Sequence, residues 1–175
     1  MEFLHKLRMR CGSWLLNLLR RRPNARRKLE VPYELAPREI VARILYSKRH
    51  FNPSRMRPNA GAFIPPPDAE LSGVHVTGLS EAAIWEVAKT TVGTEPGRTT
   101  IYARADVLVN EFIRQKLRAI RDDKPFIRHT SVKGWPKVVD LNQQKERWKA
   151  ICLALSESPN VSLILPAAPI RTDES

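Results

Sequence analysis

Cysteine is nearly absent from this chain. Cys11 and Cys152 lie far apart, with no Cys-x-x-Cys spacing, so neither a disulfide framework nor a cysteine-based zinc finger is expected. Each falls on the apolar side of an expected helix and reads as a reduced thiol. No apolar run reaches the length of a membrane span. The N-terminus has no uninterrupted signal-peptide core before a small-residue cleavage site, which makes a cytoplasmic setting the default expectation, with membrane association left open to the N-terminal helix. A phosphate loop is also missing: Gly93-Thr94-Glu95-Pro96-Gly97 lacks the Lys-Ser/Thr pair that such a loop needs. No serine or cysteine stands in a nucleophile motif. The intervals among His50, His75, His129 and Cys152 match no metal-ligand spacing, so neither a metal site nor a cofactor is expected.

Acidic residues are scarce in the front third. Residues 1–57 hold 15 Lys+Arg against 4 Asp+Glu, a net +11, whereas residues 58–175 hold 15 against 14, a net +1. Long-range attraction to a polyanion or an anionic lipid surface therefore acts through the front of the chain. Within it, Phe3, Leu4, Leu7, Cys11, Trp14, Leu15, Leu18 and Leu19 recur at spacings of three and four, the pattern of an amphipathic helix over residues 1–22. Such a helix lies on an anionic membrane, docks on a protein partner, resembles an organellar transit peptide in being Arg-rich and acid-poor, or packs on its own domain. Arg20, Arg21, Arg22, Arg26, Arg27 and Lys28 then form a basic run, interrupted by Pro23. That run favours phosphates without reading sequence and is the expected nucleic-acid contact.

The rest of the chain alternates helix-like and strand-like segments. A stripe of Ile40, Val41, Ile44 and Leu45 after Pro37 suggests a short helix over 37–46. Ala62-Phe63-Ile64 suggests an edge strand before three prolines. Leu71 to Thr77 alternates as a strand, with Ser72, Val74 and Val76 on one face. Ser80 caps a helix to Val92, and Thr99 to Ala103 is a short strand. A helix capped by Asp106 carries Val109, Phe112, Ile113 and Leu117 and fades at Asp122-Asp123, two carboxylates that read as solvated and receive no role. A strand surrounds His129, a helix runs from Asp140 to Ser156, and Val161 to Leu165 is an apolar strand. Together these imply one α/β or α+β domain over 38–166, a short mixed sheet packed by about four helices. The basic amphipathic helix and linker precede it at 1–37, and a loose tail follows at 167–175.

Several stretches together carry a resemblance: Arg49-His50-Phe51, Ala62-Phe63-Ile64-Pro65-Pro66, Leu79 to Trp85, Tyr102-Ala103-Arg104-Ala105-Asp106, and His129 followed by Gly134-Trp135-Pro136-Lys137. Over residues 38–165 the chain resembles a small uncharacterised prokaryotic protein family. The resemblance implies a compact domain and transfers no activity.

His50 and His129 are the histidines in the most polar contexts. If the fold joins them with Arg49, Tyr102, Arg104 and Lys137, they form a phosphate pocket with one imidazole as acid and the other as base. Trp135 is then a stacking surface for a base or sugar ring, or else a core plug. Three functions follow. The first is a non-enzymatic protein that binds nucleic acid, or another anionic partner, through its basic front third. The second is an enzyme on a phosphate-bearing or nucleotide substrate using His50 and His129. The third is a peripheral membrane protein anchored by residues 1–22.

Overall fold

The computed structural model describes residues 31–92 and 100–172. The amphipathic helix expected at 1–22, the basic run from Arg20 to Lys28, residues 93–99 and the last three residues of the expected tail lie outside the described residues. In chain order the strands are β1 (Tyr33–Glu34), β2 (Ile40–Leu45), β3 (Phe51–Asn52), β4 (Arg57–Pro58), β5 (Leu71–His75), β6 (Thr100–Ile101), β7 (Ala103–Leu108), β8 (Arg118–Arg121), β9 (His129–Lys133), β10 (Val161–Ile164) and β11 (Ile170–Arg171). The α-helices are α1 (Glu81–Val92), α2 (Val109–Arg114) and α3 (Leu141–Glu157), with 3-10 turns at Lys48–His50 and Ala60–Phe63.

Seven strands form one sheet in the order β1-β8-β9-β5-β2-β7-β10. Every neighbouring pair in it is antiparallel. The expectation of a short mixed sheet under about four helices is overturned by this large antiparallel sheet and three α-helices among the described residues. The physical cause is visible at β2. Ile40, Val41, Ile44 and Leu45 sit at helix-like spacing, yet β2 is a central strand between β5 and β7, covered on both faces. A strand buried on both sides loses its period-2 alternation and reads as a continuous apolar run. The helix expected after Asp106 fails similarly. Asp106 lies inside β7, and only Val109–Arg114 is helical. Lys116 then takes a left-handed turn at φ 61°, its N–H bonded to the Ile113 carbonyl, and the chain re-enters the sheet as β8. Ala60–Phe63 is a 3-10 turn where an edge strand was expected.

Other elements form where local chemistry asks for them. Asp140 caps α3 by accepting from the N–H groups of Asn142 and Gln143 at 2.8 and 3.2 Å. The Ser80 hydroxyl accepts from Ala83 N–H at the start of α1. The sheet also takes in Tyr33 and Glu34, which pair with β8, and Leu35 is buried behind them. At the other end β11 pairs with β6.

The two faces of the sheet build two cores. One buries Leu45, Leu71, Val107 and Val132 with Phe63, Phe112, Trp135 and the α3 residues Cys152 and Leu155. The other buries Ala42, Ile44, Val74 and Ile101 against Ile84 and Ala88 of α1. Each fully buried Leu or Phe side chain here contributes about 1.5–3 kcal/mol.

The sheet has a seam. β2 and β5 pair only at Val41↔His75 and Ala42↔Val74. Beyond that the strands part, and Arg43 fills the gap. Its Nη1 donates to the Ser72 carbonyl at 2.9 Å and its Nε to the Ala62 carbonyl at 3.2 Å. Gly73 permits the close approach just before the strands part, because a Cβ there would lie 2.4 Å from Val41 Cγ1.

Candidate active site

β5, β9 and the end of β8 lie side by side on the far side of that seam. Alternation sends Leu71 and Val132 into the α3 core and turns Ser72, Val74, His129 and Ser131 to the α1 face. The register pairs Ser72 with Ser131 and Val74 with His129. His129 is therefore the diagonal neighbour of Ser72, within reach of a long ring. On the other flank Asp122 follows β8, and its N–H donates to the His129 carbonyl at 3.1 Å. Three adjacent strands thus bring three side chains into line.

Their geometry is continuous. Ser72 Oγ lies 3.2 Å from His129 Nε2, and His129 Nδ1 lies 2.5 Å from Asp122 Oδ1. The Ser131 hydroxyl donates to Asp122 Oδ2 at 2.8 Å. Ser72 is exposed and His129 is buried. Phe126 packs its ring edge-on against the imidazole, with centroids 4.9 Å apart, which fixes the ring plane.

Electrostatics sets the tautomer. Burial pushes the Asp122 carboxyl up, but hydrogen bonds from His129 and Ser131 outweigh that and hold it below its ordinary value. Asp122 is then ionised at neutral pH and only accepts hydrogen bonds. Nδ1 must carry the proton that bonds it. In the neutral form of the imidazole Nε2 is then an acceptor, to which the Ser72 hydroxyl donates. This is the arrangement a general base needs to activate a serine.

The loop behind Asp122 is held by its neighbour. Asp123 accepts from Arg121 Nε at 2.9 Å and from Arg128 N–H at 2.5 Å. Asp123 and Arg128 both take left-handed backbone, at φ 50° and 68°. Asp122 and Asp123, read from sequence as solvated, are therefore divided between orienting a histidine and closing a loop.

Ser72 stands between two hollows. On one side is a cleft of about 60 Å³ bounded by His129, Phe126, Val74, Ile44 and Thr91. On the other is a chamber of about 300 Å³ bounded by His50, Gly61, Ile64 and Pro65. Arg43, Tyr46 and Ser72 line both. The two histidines singled out from sequence thus border hollows on either side of one serine. His50 closes the 3-10 turn that Ser47 caps. Burial lowers its pKa, and the Arg43 charge lowers it further. Backbone geometry adds a donor at the serine. In an antiparallel strand the N–H and C=O of one residue point to the same side. The Ser72 carbonyl faces the seam, where Arg43 binds it, so the Ser72 N–H faces the seam as well.

The remaining sequence candidates lie elsewhere. Arg49 and Lys137 are exposed, and the Arg49 carbonyl accepts from Asn59. Tyr102 lies under Lys48, whose Nζ is 5.3 Å from the ring centre, in a separate apolar groove with Phe51 and Pro53. Arg104 is buried, bonded to Glu81 at 2.8 Å and Asp106 at 3.0 Å, with Trp85 4.7 Å away across its guanidinium. Trp135 is only 3% exposed and donates to the Val132 carbonyl, so its ring is part of the core. The basic residues from Arg20 to Lys28 lie outside the described residues. Cys152 is buried, its thiol pushed up to about 12 by burial. Among the described residues no group of three or more His, Cys, Asp or Glu is arranged to hold a metal ion, and no helix is long and apolar enough to cross a membrane.

Sequence reasoning missed Ser72, Asp122 and Arg43. The one signal available was that Ser72 is polar between apolar neighbours on an alternating strand. Comparison with protein-family models, with curated proteins and with solved structures finds no match.

Proposed function

We propose that this chain is a serine hydrolase, with Ser72 as nucleophile, His129 as general base and then acid, and Asp122 as the residue that positions the imidazole. The observation that carries the reading is the unbroken hydrogen-bonded line from an exposed hydroxyl, through a buried imidazole, to an ionised carboxylate. Ser72 Oγ adds to the carbonyl carbon of an ester or amide while its proton passes to His129 Nε2, and the carbonyl π pair moves onto oxygen. The seam-facing N–H of Ser72 is the donor for that oxyanion, with the Arg43 guanidinium beside it. Collapse of the tetrahedral species breaks the bond to the leaving group, which takes the proton from Nε2. Water then adds to the acyl-serine with His129 again as base, and the acid departs as Ser72 regains its proton. Asp122 remains ionised and balances the imidazolium.

A fluorophosphonate probe tests this directly, because it bonds only to an activated serine and expels only fluoride. Peptide mass spectrometry should find the adduct on Ser72. The labelling rate should fall at least about a thousandfold in His129→Ala. An unlabelled Ser72 in a folded protein would mean that its hydroxyl merely caps the ring.

The charge distribution supports a second, compatible reading: the +11 of residues 1–57 draws the chain to nucleic acid or another polyanion in the cytoplasm. Reversing Arg26, Arg27 and Lys28 to Glu in the full chain should weaken duplex DNA binding at moderate salt. Each lost phosphate contact lowers the salt slope by about 1. Flotation of the full chain with anionic vesicles, compared with Trp14→Asp, tests the membrane alternative.

A further inference from the structure

The two hollows beside Ser72 differ in size, and proton transfer decides what each must hold. A leaving group has to sit within hydrogen-bond reach of His129 Nε2 to receive its proton. It therefore occupies the cleft of about 60 Å³ under Phe126 and Val74. That cleft is about a fifth of the volume of the hollow on which His50 borders. The acyl part then takes the neighbouring chamber of about 300 Å³, which shares Arg43, Tyr46 and Ser72 with the cleft. Ile64 and Pro65 give this chamber an apolar flank, while Arg43 and His50 give it a cationic and a hydrogen-bonding one. No carboxylate is among the described residues that line it.

We infer that the site hydrolyses esters or amides whose acyl chain ends in an anionic group seated in the His50 chamber, with the leaving group in the smaller cleft beside His129. The inference rests on the reading of Ser72, His129 and Asp122 as a hydrolase. The bond broken joins the acyl carbon to the alcohol or amine, and water supplies the hydroxyl of the product acid and the proton of the product alcohol or amine.

Gly61 offers a handle on the chamber. A Cβ there would lie 4.0 Å from His50 Cδ2, an ordinary contact, so a longer side chain grows into the space without a backbone clash. Initial rates of the full chain are to be measured on monomethyl glutarate, methyl pentanoate and methyl acetate. Monomethyl glutarate should exceed methyl pentanoate about tenfold in kcat/KM, the ratio of one good ionic contact. Gly61→Leu should lower kcat/KM for monomethyl glutarate at least about tenfold more than for methyl acetate. His50→Phe keeps a ring but loses the donor, and should cut the glutarate-to-pentanoate ratio severalfold. It stands in for Gly61→Leu if that variant does not fold. Equal losses on long and short esters, or no preference for the anionic chain in the parent, would overturn the inference. The fluorophosphonate result separates the two levels: labelled Ser72 with flat chain selectivity sinks only the substrate assignment, whereas unlabelled Ser72 sinks the hydrolase reading beneath it.

Discussion

Two polar clusters occupy the α1 face of this sheet, and they end differently. In one, Arg104 spends its donors on Glu81 and Asp106 and stacks near Trp85, itself held by a bond from its Nε1 to Glu81. Every step of that network closes on another protein group. In the other, the line from Asp122 through His129 stops at the exposed hydroxyl of Ser72, between two hollows. The carboxylates respond in opposite ways. Burial outweighs the Arg104 bonds and raises Asp106, whereas hydrogen bonds outweigh burial and lower Asp122. A perturbed carboxylate is thus common to both, and it does not distinguish scaffold from chemistry. What distinguishes them is whether the network leaves a reactive atom facing a space.

The sharpest way to break the comparison is to remove the terminal atom. Ser72→Ala should abolish fluorophosphonate labelling and lower any ester hydrolysis by at least about a thousandfold, or about 4 kcal/mol of barrier. Its melting temperature should stay within about 2 °C of the parent, because an exposed hydroxyl is lost. Asp122→Asn comes next. It leaves the shape but removes the charge that fixes the tautomer, so kcat should fall about a hundredfold, about 2.7 kcal/mol, with KM little changed. A variant that merely loosened the loop would move KM and the melting temperature as well. Arg104→Ala should show the reverse pattern. It strands a half-buried Asp106 and uncovers part of Trp85, costing about 2 kcal/mol of stability, since the exposed Glu81 regains water and moderates the loss. Unfolding should then come about 5–8 °C earlier. Labelling of Ser72 in the folded fraction should be unchanged. If Arg104→Ala instead silenced Ser72 without loss of stability, the division between the clusters would be wrong.

How far each cluster was legible in the sequence follows from range. Elements set by local chemistry could be read: the Ser80 and Asp140 caps, the helices behind them, the strand at His129 and the inward Cys152. β2 could not, because burial on both faces erased the alternation that marks a strand, and four apolar residues at helix spacing remained. The end of β7, α2 and β8 were merged into one helix for a related reason. Val109, Phe112, Ile113 and Leu117 keep a helical period across the turn at Lys116, where no glycine or proline marks the break. The site was less legible still. His129 and His50 stand out through their polar neighbours, but Ser72 and Asp122 are brought to His129 only by the β5–β9 and β8–β9 registers. A serine 57 residues before its histidine has no local signature, and two adjacent aspartates look solvated until a loop turns one of them inward. Arg43 shows the same limit. An arginine inside an apolar strand is explained only once the strands are seen to part beside it.

The smallest predicted effect concerns a histidine outside the proposed triad, on the opposite face of β5 from Ser72. His75 is buried, with Nε2 3.1 Å from Glu39 Oε1, a contact that falls outside hydrogen-bond geometry. Arg121 Nη1 lies 3.4 Å from Nδ1, and Arg128 donates to the His75 carbonyl. Burial lowers the pKa most; Glu39 opposes it, and the charges of Arg128 and Arg121 reinforce it, leaving the ring below its ordinary 6.5. The sign follows from linkage. Between the folded value and 6.5 the unfolded chain takes up a proton that the folded chain refuses. The contribution of His75 is therefore complete above 6.5 and is lost as pH falls through that window, after which it is flat. His50 is shifted the same way and adds to the slope. Urea midpoints of the parent should decline between pH 7 and pH 5. His75→Gln, which cannot titrate, should keep only the part due to His50. An unchanged slope in that variant would show that Glu39 holds the ring charged after all, and that this face, like the Arg104 cluster, is tied by a closed ion pair.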